Sequence, residues 1–134
     1  MTRPPGITEP TDAQKSRTGL SRLWHAGRYS FAGLRAGWTE SAFRLEAQCA
    51  AVLVPLAFWL GRDWTEVALL VASVLAVMVV ELLNTAVETT LDRFGPEWDA
   101  STKKAKDMGS AAVLLTLLAC GGLWLAVAAE RFLP

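Results

Sequence analysis

Between Val67 and Val80 every residue is apolar except Ser73. In a stretch this apolar the backbone groups must satisfy one another, and in lipid a lone segment can do so only as a helix. The run does not stop at a turn. It passes directly into Glu81-Leu82-Leu83-Asn84-Thr85-Ala86-Val87-Glu88-Thr89-Thr90-Leu91-Asp92. Read as one helix, Glu81, Asn84, Glu88 and Asp92 follow at spacings of three, four and four, so they stand in one column on one face. Acids at membrane depth are costly, and the default reading for them is functional.

A helix rises about 1.5 Å per residue, so positions 67 to 80 climb about 20 Å of a hydrocarbon layer about 30 Å thick. If the helix enters near Trp64, Glu81 lies inside the far boundary and Glu88 about 10 Å further on, at the headgroups. Such a column has one end among lipid and the other in water. It suits chemistry between a lipid group and a soluble reagent. A helix projecting from the membrane with its acids solvated is the plainer reading, but solvated charges need no alignment.

The chain has 134 residues, 52% of them hydrophobic, and zero formal net charge. Three long apolar segments make it a small polytopic membrane protein, with no bulk charge pointing to nucleic acid. Arg3, Lys15, Arg17, Arg22, Arg28, Arg35 and Arg44 lie at or before the opening of the first segment. Arg93, Lys103, Lys104 and Lys106 follow the second, while Arg62 and Arg131 stand alone at the opposite ends. The positive-inside rule places the N-terminus and the 94–106 loop in the cytoplasm. Cys49 and Cys120 both fall in apolar segments and read as small packing residues, without a disulfide or metal cluster. The N-terminus lacks an early apolar region, so no cleavable signal peptide is expected.

Residues 1–19, with Pro4, Pro5, Gly6 and Pro10, read as a disordered tail. Residues 20–38 read as an amphipathic surface helix: Leu20, Leu23, Trp24, Phe31, Leu34 and Trp38 recur at helical spacing among Arg22, His25, Arg28 and Arg35. Spans are expected at about 40–60, 64–92 and 105–130. The first opens on Glu40, Arg44 and Glu46, with Glu40 and Arg44 one turn apart as a possible surface ion pair, and contains Pro55. Gly61-Arg62-Asp63-Trp64 is a tight turn, with Trp59 and Trp64 as an interfacial belt. Ser101 is the expected cap of the third span. Ala105, Gly109, Ala112, Thr116 and Cys120 form a stripe of small or slim residues for close helix packing. Three spans cannot shield the acid column from lipid on all sides, so a homo-oligomer with sites at protomer contacts is expected.

The segments Glu81 to Arg93 and Lys104-Ala-Lys106-Asp107-Met108-Gly109-Ser110-Ala-Ala-Val resemble the prokaryotic diacylglycerol kinase family. Gly33-Leu-Arg35-Ala-Gly-Trp38 and Glu40-Ser-Ala-Phe43-Arg44-Leu-Glu46 are similar to its N-terminal signature, and the likeness runs from about Arg22 to the end. The resemblance implies an all-α homotrimer in the bacterial inner membrane, N-terminus cytoplasmic, that uses Mg-ATP to phosphorylate diacylglycerol. Residue by residue it implies Glu81 as general base and Glu40 and Glu88 as magnesium-binding acids. It sets Arg22, Tyr29, Glu97, Trp98, Asp99, Lys106 and Asp107 at nucleotide-contacting positions. Arg35, Ala36, Gly37, Trp38, Ala42, Phe43, Arg44, Leu45, Glu46 and Ser110 fall at lipid-substrate positions, and Asn84 and Asp92 at supporting ones. The chain departs from the family pattern at Trp98-Asp99, which replace Tyr-His, at Arg28, which replaces a small residue, and in a Trp38–Glu40 link one residue short. No phosphate-binding Gly-x4-Gly-Lys-Ser/Thr loop or protein-kinase signature is present. A polyprenol (undecaprenol) kinase is the alternative within the same class, and an acid-lined proton- or ion-conducting oligomer the alternative from another.

Overall fold

The computed structural model of the chain describes residues 20–95 and 99–133. The expected tail at 1–19, Glu97, Trp98 and the side chain of Arg22 lie outside what it describes. Among the described residues four helices follow in order: α1 Leu20–Gly37, α2 Ser41–Leu60, α3 Trp64–Leu91 and α4 Ala100–Phe132, with a 3-10 turn over Asp92–Phe94. The last three are long and apolar enough to cross a membrane. The chain divides into two units at Ala36/Gly37, so α1 is described by itself. Its Leu23, Trp24 and Phe31 are exposed.

Local chemistry explains where the helices start and stop. Asp63 accepts from the backbone amides of Thr65 and Glu66 at 2.8 and 2.9 Å, satisfying two of the donors that open α3. Gly61 closes α2 by donating to the Ala57 carbonyl at 2.9 Å. A Cβ there would sit 2.7 Å from Val67 Cγ2 and 3.0 Å from the Val67 nitrogen, so the turn is passable only without a side chain. Gly95, at φ +100°, ends the 3-10 turn in a conformation that other residues rarely adopt.

The third span differs from expectation at its start. Its helix begins at Ala100, not 105, and its cap is Asp99, not Ser101. The Asp99 carboxylate accepts from the Thr102 amide at 2.7 Å, and that bond holds its carboxyl below the ordinary aspartate range. An ionised cap also faces the positive end of the helix, an advantage that serine lacks. In consequence Lys103, Lys104 and Lys106 ride on the first turns of α4 instead of a loop.

Within the second unit α3 packs against both α4 and α2, which scarcely meet each other. Two layers fill the space. In one, Ala50, Val74, Val77 and Cys120 meet, flanked by Leu53 and Met78. In the other, Ala57, Leu60, Leu70 and Val127 meet, and Trp124 touches both layers. Small residues at 50, 57 and 120 let the helices approach closely, which is how helices associate where no water is present to drive them together. Ala112 is exposed and lies off this face. Beyond the second layer, Arg62 binds Glu66 through Nε at 3.0 Å and also pairs with Glu130, tying the α2–α3 turn to the end of α4. The spans expose large apolar side chains, among them Leu69, Leu75, Val79, Leu83, Leu114 and Leu118, a surface suited to lipid or to further copies of the chain.

Candidate active site

The apolar face of α3 runs inward through Val67, Leu70, Val74 and Val77, and the next position on that face is Glu81. Continuing the periodicity of a packed helix therefore carries a carboxylate into the interior. Glu81 is 6% exposed, and among the described residues it is the one buried charged side chain. Among the described residues it has no ion pair; the charges that act on it are Glu88, two steps down the column beyond Asn84, and Glu40, just ahead of α2. Glu46, on α2, feels Glu81 in turn. Four carboxylates, Glu40, Glu46, Glu81 and Glu88, thus interact at the head of the column, the like-charged arrangement that catalytic sites build and stable cores avoid.

The rest of the column is engaged locally. Asn84 Nδ2 donates to Glu88 Oε1 at 3.1 Å. Asp92 accepts from Lys106 Nζ at 2.5 Å, which joins the foot of α3 to α4 and keeps a cation within electrostatic reach of Glu88. Asp107 pairs with Lys103, one turn away on its own helix, at 2.5 Å. Asp99 is engaged as a helix cap. The Glu40–Arg44 ion pair does not form: Arg44 Nη1 donates to the carbonyls of Trp38 and Thr39 at 3.2 and 2.8 Å. Carbonyls leaving a helix end are accessible acceptors, and Arg44 lies one turn into α2, facing back toward them.

Gly37 is buried, and a Cβ on it would come within 2.5 Å of Leu82 Cδ2 and 3.3 Å of Phe43 Cδ1. The chain entering α2 therefore runs close along α3 beside Glu81. Phe43 is buried there, while Trp38, Ala42, Leu45 and Ser110 are exposed. On α1, Arg35 and Ala36 are exposed, and Tyr29 stacks obliquely near His25 with ring centroids 6.5 Å apart.

One feature of the site went unforeseen in the sequence. A cavity of about 250 Å³ opens between α2, α3 and α4, lined by Leu45, Glu46, Cys49, Leu53, Val74, Val77, Met78 and Leu117. Its walls are apolar apart from Glu46, whose Oε2 is buried without a hydrogen-bond partner. The signal was present: Ala42, Leu45, Glu46, Cys49 and Leu53 recur at the spacing of one helical face. An apolar slot with one acceptor in its wall suits the hydroxyl end of a lipid.

Among the described residues no three His, Cys, Asp or Glu side chains stand close enough to cage a metal by themselves. Magnesium seldom needs such a cage. It takes one or two carboxylates and completes its shell with phosphate oxygens and water. The hard oxygens of Glu40 and Glu88 are donors of that type.

A model of the family described as prokaryotic diacylglycerol kinase matches residues 28–128. The diacylglycerol kinase of Haemophilus influenzae is 45% identical over 108 residues, covering 80% of this chain and 92% of that protein. That of Escherichia coli K12 is 44% identical over 108 residues, covering 80% and 88%. That of Pseudomonas aeruginosa is 43% identical over 111 residues, covering 82% and 90%.

Proposed function

The chain belongs to the prokaryotic diacylglycerol kinase family, and on that basis we propose that it transfers the γ-phosphoryl group of ATP to diacylglycerol, giving phosphatidic acid and ADP at the cytoplasmic face of the bacterial inner membrane. The observation that carries this reading is the burial of Glu81 among other carboxylates at the head of an acid column. A structural residue at that position would be apolar, as at Val74 and Val77.

Glu81 is the general base. Its carboxylate takes the proton of the lipid's free hydroxyl as that oxygen bonds to the γ-phosphorus. The bond from the γ-phosphorus to the β–γ bridging oxygen breaks, and ADP leaves with the electron pair. The apolar slot beside Glu46 receives the lipid next to the hydroxyl. Glu40 and Glu88 would hold magnesium together with the nucleotide, and the ion would supply charge neutralisation at the phosphate oxygens. Lys106, held by Asp92, offsets charge on the transferring group. Arg22, Tyr29, Glu97, Trp98, Asp99 and Asp107 contribute to nucleotide binding. Three chains assemble as a homotrimer, which covers the exposed apolar faces and closes each site.

Two isosteric variants test the roles. Glu81→Gln keeps its size but cannot take a proton, so turnover falls while Mg-ATP binding persists. Glu88→Gln loses an anionic ligand, so the Mg²⁺ concentration needed for half-maximal rate rises. Mg-ATP binding lost in Glu81→Gln and kept in Glu88→Gln would reverse the assignment.

A further inference from the structure

The Asn84 carboxamide lies between α3 and α4, and its two ends meet different surroundings. Nδ2 donates to Glu88 Oε1 at 3.1 Å. Oδ1 is buried and has no hydrogen-bond partner among the described residues. That oxygen faces Gly109. A Cβ on Gly109 would lie 2.2 Å from Asn84 Oδ1, closer than non-bonded atoms can approach, and a tight 3.3 Å from Asn84 Cγ. Gly121 and Gly122, further along the same helix, meet nothing within 4 Å. Of the three glycines in α4, only at 109 does the absence of a side chain make room for something. Glycine weakens a helix interior relative to alanine, so the room comes at a local cost.

Turning the carboxamide over does not relieve the contact. The amide nitrogen would then take the oxygen's place against Gly109, while an oxygen would oppose the Glu88 carboxylate, acceptor against acceptor. The orientation is thus set by Glu88 on one side and tolerated by Gly109 on the other.

We propose that Gly109 is a positioning residue for the kinase reaction: its missing side chain forms the slot that seats the Asn84 carboxamide, and the seated carboxamide presets the Glu88 carboxylate. The inference rests on the reading of Glu88 as a magnesium-binding acid. With a methyl group at 109 the carboxamide must withdraw or rotate, and either movement breaks its bond to Glu88. Groups that orient a metal ligand are commonly worth about 10–100-fold in metal affinity.

The test uses the full-length protein in mixed micelles with diacylglycerol and ATP saturating and Mg²⁺ varied, and each shift of the rate curve is matched against Mg²⁺-dependent nucleotide binding followed by titration without turnover. Gly109→Ala raises the Mg²⁺ concentration for half-maximal rate by about tenfold, with the KM for diacylglycerol unchanged. Gly121→Ala, the same change where a Cβ meets nothing, behaves as the parent. Asn84→Ala shifts the Mg²⁺ curve to the same extent, and Gly109→Ala/Asn84→Ala shifts it no further, because the slot is then empty. That double variant, freed of the clash, also carries the test if Gly109→Ala alone does not fold. Shifts that add in the double variant, or a Gly109→Ala enzyme with lower kcat and an unmoved Mg²⁺ curve, overturn the slot. Glu88→Gln separates the two levels. A curve moved by Glu88→Gln but not by Gly109→Ala overturns the slot alone; a curve unmoved by Glu88→Gln overturns the reading of Glu88 and the slot's role with it.

Discussion

Glu81→Gln should make the protein more stable as it makes it inactive. Glu81 is 6% exposed, has no basic partner among the described residues, and feels Glu40 and Glu88. Glu88 stands seven residues, about 10 Å, along the helix, and at an effective dielectric of about 20 two carboxylates that far apart repel by about 1.7 kcal/mol. Glutamine keeps the volume, removes the charge and supplies an amide N–H that a neighbouring carboxylate can accept. After discount for screening and relaxation, the gain is about 1 kcal/mol, or about 3–5 °C in the unfolding midpoint of a chain this size. Turnover falls about 10²–10⁴-fold, the scale of a lost general base. Thermal unfolding in detergent can be followed with a thiol-reactive dye. Cys49 is exposed and is blocked first; Cys120 is buried and reports unfolding. A midpoint lowered by several degrees would mean that Glu81 makes a stabilising contact, and the account of it as an acid held at a cost for catalysis would fail.

Asp99→Ala removes the cap of α4 and should lower the unfolding midpoint. Because the folded state holds this carboxyl below its ordinary value, its stabilisation is present above the normal aspartate range and fades as pH falls through the lowered value. Parent and variant midpoints should therefore differ at pH 7 and converge in strong acid; a constant difference would contradict the cap. For topology, a cysteine at Arg62 should react with a membrane-impermeant maleimide in intact cells, and one at Ser101 only after lysis. The reverse pattern would invert the orientation.

The helices were legible because each is long and strongly patterned. The run from Val67 into Glu81 left no alternative to one continuous helix, and the 3-4-4 column identified the face that bears the chemistry. The start of α4 was missed because both Asp99 and Ser101 can cap a helix, and only the folded backbone shows which side chain reaches the free amides. Arg44 was misassigned for a related reason: spacing placed Glu40 within reach, but the carbonyls of Trp38 and Thr39 appear only once α1 ends where it does. Gly109 read correctly as a close-packing residue, yet the identity of its neighbour could not be read, since contacts between helices far apart in sequence have no local signature. The cavity at Glu46 is of the same kind: its α2 wall was periodic in the sequence, while Val74, Val77, Met78 and Leu117 join it only through packing.

The most direct measurement is phosphoryl transfer itself. Purified protein in mixed micelles is given γ-labelled ATP, Mg²⁺ and either diacylglycerol or undecaprenol, and the lipid fraction is counted for the parent and for Glu81→Gln. The account predicts label in phosphatidic acid with the parent, little with undecaprenol, none without Mg²⁺, and a loss of at least about 10²-fold with Glu81→Gln. Preferential labelling of undecaprenol, or equal labelling by Glu81→Gln and the parent, would contradict it.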